Sequence, residues 1–189
     1  SPRLILTAGV AAMVAGALSM AAGEYVSVST QRDTERALLA KERWELENMP
    51  EAELEELTAI YHKKGLTPET AAQVARELTV HDAFAAHAEA ELGIDPNNLT
   101  NPWQAAYASA AAFLVGAAIP VVAVIVLPEA YRIFGTFAAV VVALAITGTL
   151  SAYAGGAKKR RAALRVVAGG FLAMIVTYGI GKIFGVVGI

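Results

Sequence analysis

The chain has 189 residues, of which 56% are hydrophobic and 17% charged, and it contains no cysteine. The lack of cysteine excludes disulfides, thiolate metal sites and thiol catalysis. The formal net charge of −2 is unlike the concentrated basic face that binds nucleic acid. Nearly all acidic residues fall within residues 24–95, between stretches that are almost purely apolar. This segregation predicts an all-α, polytopic membrane helical bundle with one soluble insertion.

Four stretches are long enough and apolar enough to cross a membrane. A bilayer core of about 30 Å requires roughly 20 apolar residues in a helix, and we predict spans over residues 4–23, 103–128, 133–157 and 166–189. Lys182 interrupts the last span, near enough to its end for the amine to reach the interface. Residues 1–27 and 103–189 are therefore predicted to be membrane segments.

The distribution of basic residues predicts the orientation of these spans. Short loops rich in lysine and arginine face the cytoplasm, and the connection before the fourth span contains Lys158, Lys159, Arg160, Arg161 and Arg165. The connection before the third span has only Glu129 and Arg132 as charged residues. We therefore predict that the former connection is cytoplasmic, that the latter is outside, and that the soluble insertion is cytoplasmic.

The insertion, residues 28–102, is predicted to form three helices, over about residues 28–47, 50–64 and 68–93. Pro50 suits the first turn of the second helix, and Gly65 suits its C-terminal end. Thr67 is a favourable N-cap for the third helix. Trp103 and Tyr107 follow the insertion, where aromatic residues anchor a span at the membrane interface.

Potential metal ligands recur along the insertion. Residues spaced i,i+3 or i,i+4 share a helix face, and each helix has at least one such pair: Glu42 and Glu45, Glu53 and Glu56, His87 and Glu91, together with Glu77 and His81. Glu35 lies about two turns before Glu42. Clustered carboxylates repel one another, and a divalent cation relieves that repulsion. Carboxylate with imidazole suits Fe, Mn, Co or Zn better than Ca²⁺. The alternative is that these glutamates form the solvated face of a helical hairpin.

The first span contains a second candidate set of cation ligands. Met13, Met20 and Glu24 fall on one helix face, and an acidic residue at the foot of a span commonly marks an ion path. Alternatively, the methionines fill gaps between packed helices. Ala12 and Gly16 form a small-xxx-small pair that predicts close contact with another helix, within the chain or in a dimer.

Several catalytic signatures are absent from the sequence. There is no GxxxxGK[ST] loop, so ATP-driven pumping is not predicted. No nucleophile-base constellation stands out, and we predict that the protein is not an enzyme. A di-iron ferroxidase is disfavoured because bundle enzymes of that kind use Glu-x-x-His pairs, and none occurs here.

The junction after the first span carries a family resemblance. It has the sequence SMAAGEYVSVS over residues 19–29 and QRDTE over residues 31–35. Here the chain resembles the vacuolar iron transporter family, and the order of a span, a glutamate-rich insertion and three further spans also matches. The resemblance implies a dimeric, five-span fold that moves Fe²⁺, and often Mn²⁺, out of the cytoplasm in exchange for protons. It also implies that the metal is cargo and not a resident cofactor, and that the chain lacks the family's first span.

The same resemblance implies roles for individual residues. The family's metal ligands fall on Glu42, Glu45, Glu53, Glu56 and Glu91, and its pore methionine falls on Met20. His87 departs from the methionine of plant members, which shifts the site toward harder, borderline metals.

Two functions follow as expectations. In the first, the insertion captures Fe²⁺ or Mn²⁺ and delivers it to a path at Glu24 and Met20, in a homodimer of the bacterial cell membrane. In the second, the chain is a membrane-anchored metal sensor or storage protein without transport. A protein with the second function would bind metal without flux and would keep that function after the substitutions Glu24→Ala and Met20→Ala.

Overall fold

Helices account for nearly all of residues 2–185, which are the residues described in the computed structural model. In chain order the elements are α1 (Pro2–Asn48), α2 (Pro50–Lys63), α3 (Pro68–His87), a π-helical turn (Ala88–Leu92), α4 (Pro102–Val126), a 3₁₀ turn (Glu129–Tyr131), α5 (Arg132–Ala154) and α6 (Lys159–Ile183). No strand occurs among residues 2–185. The prediction of an all-α fold is confirmed.

Four of these helical segments are long and apolar enough to cross a membrane: Leu4–Asn48, Pro102–Val126, Glu129–Ala154 and Lys159–Ile183. This confirms the number of spans predicted from the sequence. Helix α6, which contains the start of the fourth predicted span, begins at Lys159 and includes the basic residues in its first turns. The end of the predicted span 166–189 lies outside the described residues.

The chain divides into two compact units. We call residues 1–20 with 109–189 the apolar unit, and residues 21–108 the insertion unit. Helix α1 contributes its first part to the apolar unit and its remainder to the insertion unit.

In the apolar unit, glycines allow helices to approach closely. A Cβ atom at Gly148 of α5 would lie 2.9 Å from the Cα atom of Ala163 in α6, so only glycine fits this contact. Gly16 of α1 faces the ring of Phe113 in α4. The predicted close contact at Gly16 is therefore made within the chain.

The insertion unit packs its helices around small side chains. Leu57 of α2 and three alanines of the third helical segment, Ala71, Ala75 and Ala88, are fully buried. Thr67 caps α3 as predicted, because its Oγ1 accepts a hydrogen bond from the backbone N–H of Thr70 at 3.3 Å.

The third helix of the insertion has an interruption that was not predicted from the sequence. Asp82 adopts the non-helical angles φ −161° and ψ 92°. Its Oδ1 accepts a hydrogen bond from the backbone N–H of Ala85 at 2.9 Å, which caps the helical segment that follows. The π-helical turn then ends at Gly93, which has a left-handed φ of 65°. The interruption at Asp82 and the π-helical turn both change the directions of the side chains that follow them, relative to a continuous α-helix.

Three aromatic residues of the insertion unit, near its two ends in sequence, lie close together. The ring centroids of Tyr25 and Trp103 are 4.8 Å apart, and those of Trp103 and Tyr107 are 5.9 Å apart. Trp103 and Tyr107 remain mostly exposed, which suits the interfacial role predicted for them.

Candidate metal centre

Four ionisable side chains from four segments of the insertion converge at one point. They are Glu42 of α1, Glu53 of α2, His87 at the end of α3 and Glu91 of the π-helical turn. The Nδ1 atom of His87 lies 3.0 Å from Glu42 Oε1, 3.5 Å from Glu53 Oε2 and 3.8 Å from Glu91 Oε2. Each residue contributes one potential ligand atom, and these atoms all lie within 4.8 Å of one another.

This spacing suits a metal ion at the centre of the group. Transition metals bind nitrogen and oxygen ligands at about 2.1 Å, which separates neighbouring ligand atoms by roughly 3.0 to 3.4 Å in octahedral or tetrahedral geometry. The distances from His87 Nδ1 to Glu42 and Glu53 fall close to this range. The residue types fit as well, since carboxylate and imidazole are ligands for borderline divalent metals.

Three of the four cluster residues are buried, whereas Glu91 is exposed, and the hydrogen bonding of the cluster is incomplete. His87 is fully buried, and Glu42 and Glu53 are only 2% and 4% exposed. Oε1 of Glu42 and both ring nitrogens of His87 have no hydrogen-bond partner among the described residues. The contact between Glu42 and His87 is therefore short but lacks hydrogen-bond geometry. Buried polar atoms without partners are costly, and a shared metal ion would satisfy Glu42 Oε1 and His87 Nδ1.

Charge repulsion and burial raise the pKa of two carboxyl groups in the cluster. The pKa of Glu42 rises to about 7, first because the group is buried and then because the charges of Glu91 and Glu53 lie close to it. Burial also raises the pKa of Glu53, although His87 acts in the opposite direction. These groups therefore hold protons more tightly than ordinary glutamates do.

The structure places Glu45 and Glu56 beside the cluster and not in it. Glu45 accepts a hydrogen bond from Lys41 Nζ at 2.7 Å, and Glu56 is exposed. Their charges still contribute to the raised pKa of Glu53. Each i,i+3 pair of glutamates thus contributes one ligand atom to the cluster and a second carboxylate nearby.

The remaining candidates of the insertion lie outside the cluster. Glu35 accepts hydrogen bonds from the backbone N–H and the hydroxyl of Thr100, at 3.4 and 3.2 Å. Glu77 accepts a hydrogen bond from Gln73 Nε2, and His81 is exposed. Glu35 therefore holds the polar connector against α1, which is a structural role.

The candidate transport residues of α1 are mostly exposed. Met20 is 45% exposed, Glu24 is exposed and Met13 is half-buried. A cavity of about 580 Å³ in the apolar unit has Arg132 in its lining and no carboxylate. A guanidinium group disfavours a cation in that cavity.

Vacuolar iron transporters and their homologs align with almost the whole chain. It is 47% identical over 178 residues to the vacuolar iron transporter of Acanthamoeba castellanii, which covers 94% of this chain and 68% of that protein. It is 37% identical over 188 residues to vacuolar iron transporter homolog 1 of Oryza sativa subsp. japonica, covering 99% of this chain and 63% of the relative. It is 35% identical over 185 residues to vacuolar iron transporter homolog 2.1 of Arabidopsis thaliana, with 97% and 68% covered.

The chain thus spans between 63% and 68% of the length of these relatives. Residues 1–182 match the VIT family. This match includes the junction at residues 19–35, the glutamate-rich insertion and the apolar helices that follow it. The chain belongs to the VIT family.

Proposed function

We propose that this protein is a divalent metal transporter that captures Fe²⁺, and also Mn²⁺, at the insertion cluster and moves it across a membrane in exchange for protons. Support comes from the names of its relatives, which are vacuolar iron transporters, and from the four helical segments able to span a bilayer. The expected bacterial cell membrane stays a prediction, as does the cytoplasmic side of the insertion.

The observation that carries this proposal is the buried histidine among three carboxylates. Burying Glu42 and Glu53 beside each other costs free energy unless a cation compensates their charge. The atoms without hydrogen-bond partners, Glu42 Oε1 and His87 Nδ1, are the two that approach each other to 3.0 Å. A divalent ion between them would supply both the missing charge and the missing coordination.

The raised pKa of Glu42 supports coupling to protons. A carboxyl group with a pKa of about 7 exchanges its proton near neutral pH, so protons and metal compete for the same oxygen atoms. Metal binding would then be favoured on the more alkaline side and release on the more acidic side. This is the direction expected of an exchanger driven by an external proton excess.

Passage through the membrane is assigned in this proposal to Met20 and Glu24 of α1. Both side chains are exposed in a single chain, and a second copy of the chain would enclose them. An unpaired carboxylate facing hydrocarbon is costly. We therefore propose a homodimer with these residues along the path.

The first prediction concerns flux. The chain reconstituted in liposomes should move Fe²⁺ across the membrane in exchange for protons when a proton gradient is imposed. Glu42→Gln should abolish most of that flux because it removes a ligand charge from the cluster. Fe²⁺ entry is measured with a chelating fluorophore under anaerobic conditions. Glu89→Gln is the matched control, since Glu89 is an exposed carboxylate on the same π-helical turn as Glu91.

The two expected functions separate in this assay. A sensor or storage protein would bind Fe²⁺ saturably but show no flux. Its Fe²⁺ binding would be unchanged by Glu24→Ala and by Met20→Ala. Equal flux in Glu42→Gln and Glu89→Gln would contradict the assignment of the cluster to transport.

A further inference from the structure

We propose that His87 sets the metal preference of the cluster, favouring borderline divalent ions that bind imidazole, such as Fe²⁺, Co²⁺ and Zn²⁺, over Mn²⁺, Mg²⁺ and Ca²⁺. The proposal rests on the proposed function only in taking the cluster as a metal site. It assigns to one residue a role in selecting among metals that the carboxylates alone would not perform.

The position of His87 in the cluster is the first step. Its Nδ1 atom lies 3.0 Å from an oxygen of Glu42 and 3.5 Å from an oxygen of Glu53. The ring is fully buried, so it cannot turn outward to solvent without opening the core. Of the four clustered side chains, His87 alone offers nitrogen.

The hydrogen bonding of the ring is the second step. A buried core histidine ordinarily donates from one nitrogen and accepts at the other, and a buried polar atom without a partner costs about 1–3 kcal/mol. Neither ring nitrogen of His87 has a hydrogen-bond partner among residues 2–185. A structural role therefore leaves the ring unsatisfied, whereas coordination through Nδ1 uses the lone pair that faces the carboxylates.

The chemistry of the four donors is the third step. Ca²⁺ takes about 6–8 oxygen ligands, and Mg²⁺ favours octahedral oxygen and keeps several water molecules. Imidazole suits Fe, Zn, Cu and Ni, while carboxylate, carbonyl and water suit Mg, Ca and Mn. Three carboxylates alone would not disfavour Mn²⁺ or Ca²⁺. One imidazole in a confined, buried position therefore favours the binding of ions that accept imidazole, such as Fe²⁺, Co²⁺ and Zn²⁺.

The test is a change of ligand atom at constant position. In His87→Asn the side-chain carboxamide brings an oxygen to approximately the place of Nδ1, so a harder ligand replaces the softer one. The whole chain in detergent is titrated at one fixed pH with Co²⁺, Zn²⁺ and Mn²⁺ separately. We expect Co²⁺ and Zn²⁺ to bind roughly tenfold or more weakly, a loss typical of disrupted metal sites, and Mn²⁺ affinity to be nearly unchanged. His81→Asn is the control, because His81 is exposed on the same helix.

A second measurement keeps the proposal testable if His87→Asn does not fold. Co²⁺ bound to the unaltered chain should give a strongly shifted, exchangeable proton resonance from the free N–H of a coordinated imidazole. The absence of that resonance from a cobalt-loaded protein would overturn the proposal.

The outcomes distinguish this proposal from the proposed function. Equal weakening of Co²⁺ and Mn²⁺ in a folded His87→Asn protein would show that His87 does not select among metals, and transport would stand. No binding of any of the three ions by the unaltered chain would overturn both.

Discussion

The carboxyl group of Glu42 lies on the soluble part of α1, only 2% exposed, among the side chains of Glu53, His87 and Glu91. Its pKa of about 7 has burial as its largest cause and neighbouring negative charge as the next. Each cause penalises the ionised form. Without a bound cation, ionisation of this group therefore works against folding.

The metal-free protein should lose stability as the pH rises. A group whose pKa is higher in the folded state contributes stability that is complete below its unfolded pKa of about 4.5 and is lost as the pH passes the folded value of about 7. The raised pKa of Glu53 acts in the same direction. The loss for Glu42 alone is on the order of 3 kcal/mol.

This dependence is measured as the midpoint of thermal unfolding by circular dichroism, in chelator, from pH 5 to pH 8. Glu42→Gln keeps the side chain neutral and should flatten the profile, and the control Glu89→Gln should follow the unaltered chain. Parallel profiles for all three proteins would contradict the burial of an ionisable Glu42.

The third helix of the insertion, which carries His87 and Glu91, is interrupted at Asp82. The sequence pattern predicts a helix over residues 68–93, but Asp82 leaves the helical conformation and caps the next segment through Ala85. The π-helical turn Ala88–Leu92 follows. The interruption and the wide turn together set the directions in which His87 and Glu91 point.

Replacing this cap should therefore weaken the metal site. Asp82→Ala removes the hydrogen bond to the Ala85 backbone, which costs about 1 kcal/mol of stability. We expect Co²⁺ affinity to fall roughly tenfold, as when a metal ligand loses its support. The measurement is Co²⁺ titration of the whole chain.

Thr67→Ala provides the matched control for that experiment. It removes the N-cap of α3, with a similar loss of stability. Thr67 is not part of the cluster, so the Co²⁺ affinity of Thr67→Ala should equal that of the unaltered chain. Equal affinities for Asp82→Ala and Thr67→Ala would contradict the role of the interruption in aiming the ligands.

At the scale of the whole molecule, apolar length was sufficient to predict the spans and the fold class, because about 20 uncharged residues in a row have few alternatives to a membrane helix. Boundaries near Pro50, Gly65 and Thr67 were also predictable, since each residue has a distinct local preference. Helix α6 begins before residue 166 because charged residues can continue a helix beyond its apolar part.

The arrangement of the ligands could be predicted only in part. Spacing identifies Glu42 and Glu45 as neighbours on a helix face, but it does not decide which of the two points into the core. In the structure Lys41 pairs with Glu45, and Glu42 is buried. That choice depends on packing between α1, α2 and the third helix, which the spacing of residues along a single helix does not determine. The path through Met20 and Glu24 stays a prediction.

The most direct test of the account is the equilibrium binding of Fe²⁺ to the whole chain in detergent, under anaerobic conditions, beside Glu42→Gln and Glu89→Gln. We predict saturable binding to the unaltered chain and to Glu89→Gln, and a large loss in Glu42→Gln, because Glu42, unlike Glu89, contributes an oxygen to the cluster. Equal binding by all three proteins, or no saturable binding by any of them, would contradict the claim that this cluster holds the transported metal.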